Sequence, residues 1–165
     1  MPLSTFKAAI ADKIIPPEQL EVFSGTLKEE GLSLVTLNGS FDLLHFGHYE
    51  MITQASFQGD VLIVLLNSDA SIQAYKSPKR PIHTLEFRLM QIAALGAVDY
   101  VSWFEETDPR AVLEKVKPHI HVNGAEYGEN CIEADVVKSH GGTIHLVERI
   151  EGYSTTTIIE KIKQL

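Results

Sequence analysis

Hydrophobic and polar positions alternate along this chain in blocks rather than residue by residue. Nearly continuous apolar runs occupy 32–38 and 60–67, and weaker ones 98–104, 119–123 and 143–147. Their length and β-branched content predict five strands, the first closed by the turn-forming pair Asn38-Gly39. Between them the period changes. Leu85, Leu89, Ile92 and Ala93 keep one face of a helix apolar, and 111–116, 131–139 and 155–162 do likewise, with Pro109 suited to a first helical turn. Residues 1–31 read as a helical extension broken at Ile15-Pro16-Pro17, ahead of a main domain over 32–165. Strands that are apolar throughout belong to a parallel sheet covered on both faces. The expected fold is α/β: a Rossmann-like, doubly wound, five-stranded parallel sheet in a single domain. Such sheets bind ligands beyond the carboxyl ends of their strands, so function is sought in the polar residues that follow each strand.

Composition narrows the classes of ligand. The chain has 165 residues, 44% of them hydrophobic, which is enough to build a core without disulfides or a structural metal. Cys131 is the single cysteine, so no internal bridge or Cys/His zinc spacing exists. A net charge of -8 argues against sequence-independent nucleic-acid binding, which needs a basic face to release counterions. The longest aliphatic run, Val61 to Leu66, is far shorter than the roughly 20 residues of a membrane helix. The opening residues lack the apolar block of a secretory leader. A cytoplasmic protein with no membrane and no nucleic-acid partner is expected.

Four stretches carry candidate chemistry. After the first strand comes Asn38-Gly39-Ser40-Phe41-Asp42-Leu43-Leu44-His45-Phe46-Gly47-His48, then a helix. Glycines allow close backbone approach, a helix start offers free N–H groups, and two imidazoles add donors; together these suit a phosphate. The alternatives, a metal pair or two structural histidines, are weakened by their place between a core strand and a helix start. No GxGxxG dinucleotide fingerprint is present. The second stretch is Arg149-Ile150-Glu151-Gly152-Tyr153-Ser154-Thr155-Thr156-Thr157. One hydroxyl suffices to cap the last helix, and the surplus hydroxyls beside Arg149 predict a second phosphate cradle on the same sheet edge. The third, 76–88, carries Lys76, Lys79, Arg80 and Arg88 against Glu86 alone, and reads either as a solvated face or as a loop closing over a polyphosphate. The fourth, Asn123-Gly124-Ala125-Glu126-Tyr127-Gly128, is either a plain connection or a base or ribose contact. His119 and His121 share a strand face and read as structural, and Trp103 and Phe104 read as core.

His45-Phe46-Gly47-His48 after Gly39-Ser40-Phe41-Asp42, with the late Ser154-Thr155-Thr156, resembles the cytidylyltransferase-like nucleotidyltransferase superfamily and its HxGH and STT-type motifs. Within it, Asn67-Ser68-Asp69, Arg80-Pro81 and Tyr153 to Ile159 are most similar to the D-glycero-β-D-manno-heptose 1-phosphate adenylyltransferases. The resemblance implies transfer of a nucleotidyl group from ATP (or CTP) to a sugar or polyol phosphate, with Mg²⁺ assisting and a homodimer as the assembly. It implies catalytic roles for His45, His48 and Lys76. Nucleotide binding falls to Gly39, Ser40, Phe41, Gly47, Asn123, Gly124, Arg149, Ser154, Thr155 and Thr156. Asp42, Asp69, Arg80, Arg88, Glu126 and Tyr127 are placed on the substrate. Two departures stand out: Ser40 replaces the usual Cys, and Asn123 the usual Lys. A cytidylyltransferase for glycerol 3-phosphate, or a non-catalytic nucleotide-binding module, remains as the alternative. An acceptor phosphate already ionised near neutral pH needs no general base, and no GxSxG nucleophile is present, which favours direct in-line transfer.

Overall fold

The computed structural model describes residues 3–148, 150 and 152–165. Among them, five strands form one parallel sheet in the order β3-β2-β1-β4-β5. They are β1 (Leu34–Gly39), β2 (Val61–Asn67), β3 (Tyr100–Phe104), β4 (Ile120–Gly124) and β5 (Thr143–Val147). The sheet is doubly wound. From β1 the chain runs outward through β2 and β3, then returns to place β4 on the other side of β1, so the order reverses between β1 and β4.

Side-chain alternation along β1 divides the core in two. Val35 and Leu37 join Val64, Leu66 and Val122 on one face, beneath α1 (Leu3–Ile10), α3 (Phe46–Ser56) and α5 (Leu85–Ala93). Leu34 joins Ile63 and Leu65 on the other, covered by α2 (Leu20–Glu29), α6 (Arg110–Val116) and α7 (Ala134–Ser139). All seven residues of β2 are buried, as a strand paired on both edges and covered on both faces requires. Ile10, Ile15 and Leu20 belong to these same two clusters, and Ile15 N–H donates to Val101 O at 2.9 Å. Residues before 32 therefore contribute to both layers of the core.

The basic stretch 76–88 runs from the end of one helix into another. A helix α4 (Asp69–Tyr75) follows β2, capped by Ser68, whose Oγ accepts from Ser71 N. Seven residues with one buried aliphatic side chain, Ile72, carry too little periodicity to announce a helix. Lys76 then sits at its C-cap and Arg88 lies inside α5. The last helix, α8 (Thr155–Lys163), closes the chain.

Candidate active site

β1 ends in a tight turn whose shape depends on Gly39 and Phe41. Phe41 is held at φ 46°, which is costly for a side chain of its size and persists because the ring is buried at 3% exposure. A Cβ on Gly39 would stand 3.1 Å from that ring. The ring also packs against His48, at 5.3 Å between centroids. Thus the turn positions the first catalytic candidate from below.

His45 and His48 flank the start of α3 with ring centroids 3.8 Å apart. His45 N–H points at His48 Nδ1 at 3.4 Å, which makes Nδ1 the acceptor and leaves the proton of a neutral ring on Nε2. Burial, then the charges of His45 and Lys76, lower the His48 pKa from 6.5 to about 4. At neutral pH His48 is an uncharged hydrogen-bond donor. The start of α8 lies alongside: the Phe46 and Tyr153 rings are 5.4 Å apart, and a Cβ on Gly47 would come within 3.7 Å of Tyr153 O.

A cavity of about 290 Å³ opens there, lined by His45, Gly47, His48, Lys76, Glu126, Tyr127 and Ser154 among others. A second, of about 580 Å³, lies over the carboxyl ends of β1, β2 and β4, with Gly39, Ser40, Asn67, Asn123 and Glu133 in its wall. Lys76 and Tyr127 line both. Lys76 is exposed, and its Nζ donates to Ser40 Oγ at 2.9 Å and lies 5.3 Å from the Tyr75 ring centre. Ser40 Oγ also pairs with Tyr75 OH at 2.9 Å.

Several predicted ligand contacts are placed elsewhere by the packing. Asp42, read as substrate-binding, is 1% exposed and acts as a staple for the 80–83 segment. Its carboxylate accepts from Arg80 Nε and Ile82 N at 2.9 Å and from His83 N at 2.8 Å. Burial pushes its pKa up, but those backbone N–H groups and the Arg80 guanidinium outweigh it and hold the carboxyl below its usual value. Arg80 is consequently turned inward onto Asp42 at 2.7 Å. Arg88 is wholly buried and bonds to Asp69 at 2.7 Å, so neither its guanidinium nor Asp69 Oδ1 faces either cavity as a free group. Phe41, Gly124, Thr155 and Thr156 are not among the residues lining the two cavities. Ser154 caps α8, its Oγ accepting from Thr157 N at 3.1 Å, so capping and cavity lining coexist in one residue. Arg149 lies outside the described residues. Glu50, Tyr75 and Glu133 line the cavities without having been singled out; nothing in their local sequence distinguishes them from surface or helix-start residues.

His119 and His121 are structural. His119 Nδ1 accepts from Leu34 N at 2.9 Å, and His121 Nδ1 shares a hydrogen bond with Thr36 Oγ1 at 2.8 Å. Burial lowers the His121 pKa to about 3. Both His48 and His121 therefore bind a proton more readily in the unfolded chain, near pH 6.5, than in the folded one. Stability is full above that pH and falls as pH drops, toward 4 for His48 and toward 3 for His121. The expected slope is up to about 1.4 kcal/mol per pH unit for each group. Urea unfolding at stepped pH between 7.5 and 4 measures it, and His48→Gln should remove one share.

No three His, Cys, Asp or Glu side chains converge as a metal cage among the described residues, and Asp42 and Asp69 are committed to Arg80 and Arg88. Mg²⁺ usually takes one or two carboxylates besides phosphate oxygens and water, so it requires no such cage. Among the described residues, no helix is long and apolar enough to cross a membrane.

A parallel sheet with a phosphate-sized cleft of imidazole, lysine and helix-start groups at its carboxyl edge defines a nucleotide-handling α/β protein. A family model described as cytidylyltransferase-like matches residues 36–161, and the chain belongs to that nucleotidyltransferase family. It is 43% identical over 148 residues to the bifunctional protein HldE of Azotobacter vinelandii, covering 89% of this chain and 31% of that protein. To the HldE of Pseudomonas entomophila it is 41% identical over 152 residues, covering 92% and 32%. The chain thus spans about a third of the length of these relatives. Among solved structures it resembles a lipopolysaccharide core biosynthesis protein from Thermoplasma volcanium, with TM-score 0.58 and 30% identity, covering 75% of this chain and all of that one. A pantoate-beta-alanine ligase from Francisella tularensis shares the fold, at TM-score 0.60 and 16% identity, covering 92% and 78%.

Proposed function

We propose that this chain transfers AMP from ATP to D-glycero-β-D-manno-heptose 1-phosphate, giving ADP-heptose and pyrophosphate. The observation that carries the reading is the shared lining of two adjoining cavities, one holding His45, His48 and Ser154 and the other running over β1 and β4, with Lys76 common to both. The triphosphate occupies the first and the acceptor the second. Similarity to HldE and to a lipopolysaccharide core biosynthesis protein supports a sugar phosphate as acceptor.

The acceptor phosphate oxygen attacks the α-phosphorus, a new P–O bond forms, and the bond to the β-phosphate oxygen breaks. With a second phosphate pKa near 6, the nucleophile carries its charge at neutral pH and no protein base removes a proton. His48, a neutral Nε2–H donor, and Lys76, a point charge at the junction, stabilise charge that grows on the phosphate oxygens. The α3 start aligns the chain of phosphates, which is the positional part of the catalysis. Mg²⁺ bound to the phosphates of ATP would supply further charge neutralisation.

The test is pyrophosphate release from MgATP or MgCTP with heptose 1-phosphate or glycerol 3-phosphate. Turnover is expected with ATP and the heptose. Turnover with CTP and glycerol 3-phosphate alone replaces the reading by a cytidylyltransferase, and nucleotide binding without any release makes the chain a binding module. Size measurement in solution checks the expected homodimer.

A further inference from the structure

The wall of the larger cavity has one cation and two carboxylates, and they are unevenly used. Lys76 is the cation, at the junction with the smaller cavity. Asp108 is taken up by Arg110, which donates through Nε and Nη2 at 2.9 Å each. Among the described residues, Glu133 has no cationic partner. It is 6% exposed, and its Oε2 accepts from Asn123 Nδ2 at 3.2 Å, with the Cys131 thiol as a further, weak partner. Asn123 is fixed in that orientation because its Oδ1 accepts from Gly124 N at 2.9 Å.

A carboxylate offers about four acceptor sites, and an amide and a thiol leave some of that capacity unused. Burying such a group without a cation is costly unless donors complete it. Neutral donors are what a polyhydroxylated ligand brings. A phosphate, by contrast, is repelled by Glu133 and drawn to Lys76.

We propose that Glu133, oriented by Asn123, reads the hydroxyl groups of the acceptor, so that a phosphate borne on a polyhydroxylated sugar enters with its phosphate at Lys76. The two charges of opposite sign orient the acceptor as a dipole, and the phosphate end then faces the cavity of His45 and His48. This deepens the nucleotidyl-transfer reading and rests on it for the location of the acceptor.

The experiment is calorimetric titration of the full chain with heptose 1-phosphate, glucose 1-phosphate, glycerol 3-phosphate, inorganic phosphate and MgATP, for the wild type, Glu133→Gln and Glu133→Ala. Loss of hydrogen bonds to a charged acceptor predicts roughly 10-fold weaker sugar phosphate binding for Gln and up to about 100-fold for Ala. Inorganic phosphate and MgATP affinities should stay within about twofold. The Gln variant keeps the size and Asn123 contact of the native side chain, so it reads the effect should the Ala variant fail to fold. Unchanged sugar phosphate affinity, or an equal loss for inorganic phosphate, overturns the proposal. So does a wild type that binds none of the sugar phosphates. Glu133-dependent binding without pyrophosphate release leaves this inference standing and removes the transferase reading instead.

Discussion

His48→Ala is expected to lower kcat for pyrophosphate release by roughly 10²- to 10³-fold with the fold retained, the usual loss for one preorganised donor to a developing oxyanion. The reason is the state in which the fold holds the ring. Its Nδ1 faces the His45 N–H, and the pKa near 4 keeps it uncharged, so Nε2–H acts as an oriented dipole that needs no protonation step. The ring is also packed against Phe41 and His45, which limits its reorganisation during the reaction. Steady-state kinetics should show the loss in kcat with little change in the KM for ATP, because the interaction strengthens in the transition state. Equal loss in a circular dichroism melt would mean that packing, not charge stabilisation, is what the ring supplies. Unchanged turnover would leave His48 without the role given to it.

Arg88→Met is expected to produce the largest loss of stability, about 3–5 kcal/mol, the range found when one partner of a buried ionic network is removed. At roughly 2–4 °C per kcal/mol for a domain of this size, the melting temperature should fall by on the order of 10 °C. Arg88 is 0% exposed and joins four segments. Its Nε donates to His83 O at 3.1 Å, Nη1 to Ser40 O at 2.7 Å and Asn67 O at 2.8 Å, and Nη2 to Asp69 Oδ1 at 2.7 Å. Those atoms belong to the turn after β1, the end of β2, the start of α4 and the loop before α5. Met matches the length and leaves three carbonyls without donors. Lys at 88 keeps the charge but not the planar fork, and should recover only part of the loss. Thermal melts of the three proteins rank as native, Lys, Met. A neutral Met variant would show that water replaces the guanidinium. Because Ser40 O is one of the anchors, Arg88 variants should also loosen the turn that carries Lys76's partner.

Segment by segment, the legible part of the fold was the part written in periodicity. β5 was read at its observed bounds, and β2 and β4 to within one residue, because apolar runs in a buried parallel sheet have sharp polar ends. α4 was missed for want of apolar repeats. In the site, the motif residues His45, Gly47, His48 and Ser154 do line one cavity. Charge identity was a poorer guide. The resemblance placed Asp42, Arg80 and Arg88 on the substrate; in the structure Asp42 pairs with Arg80 and Arg88 bonds to Asp69 and backbone carbonyls. A sequence gives the sign of a side chain but not its partner, and a buried carboxylate or guanidinium must have one.

The chain's own order of residues determined the alternation of strand and helix, the parallel sheet, and the glycine and imidazole chemistry at the first strand end, since these depend on local spacing and on hydrophobic burial alone. Tertiary structure decided which charges face a ligand and which hold the scaffold. It drew Lys76 to Ser40 from 36 residues away and left Glu133 beside Asn123 with no cation among the described residues. Electrostatic pairing acts through space and is set by which strand ends the winding of the sheet brings together, a long-range outcome that no local pattern encodes.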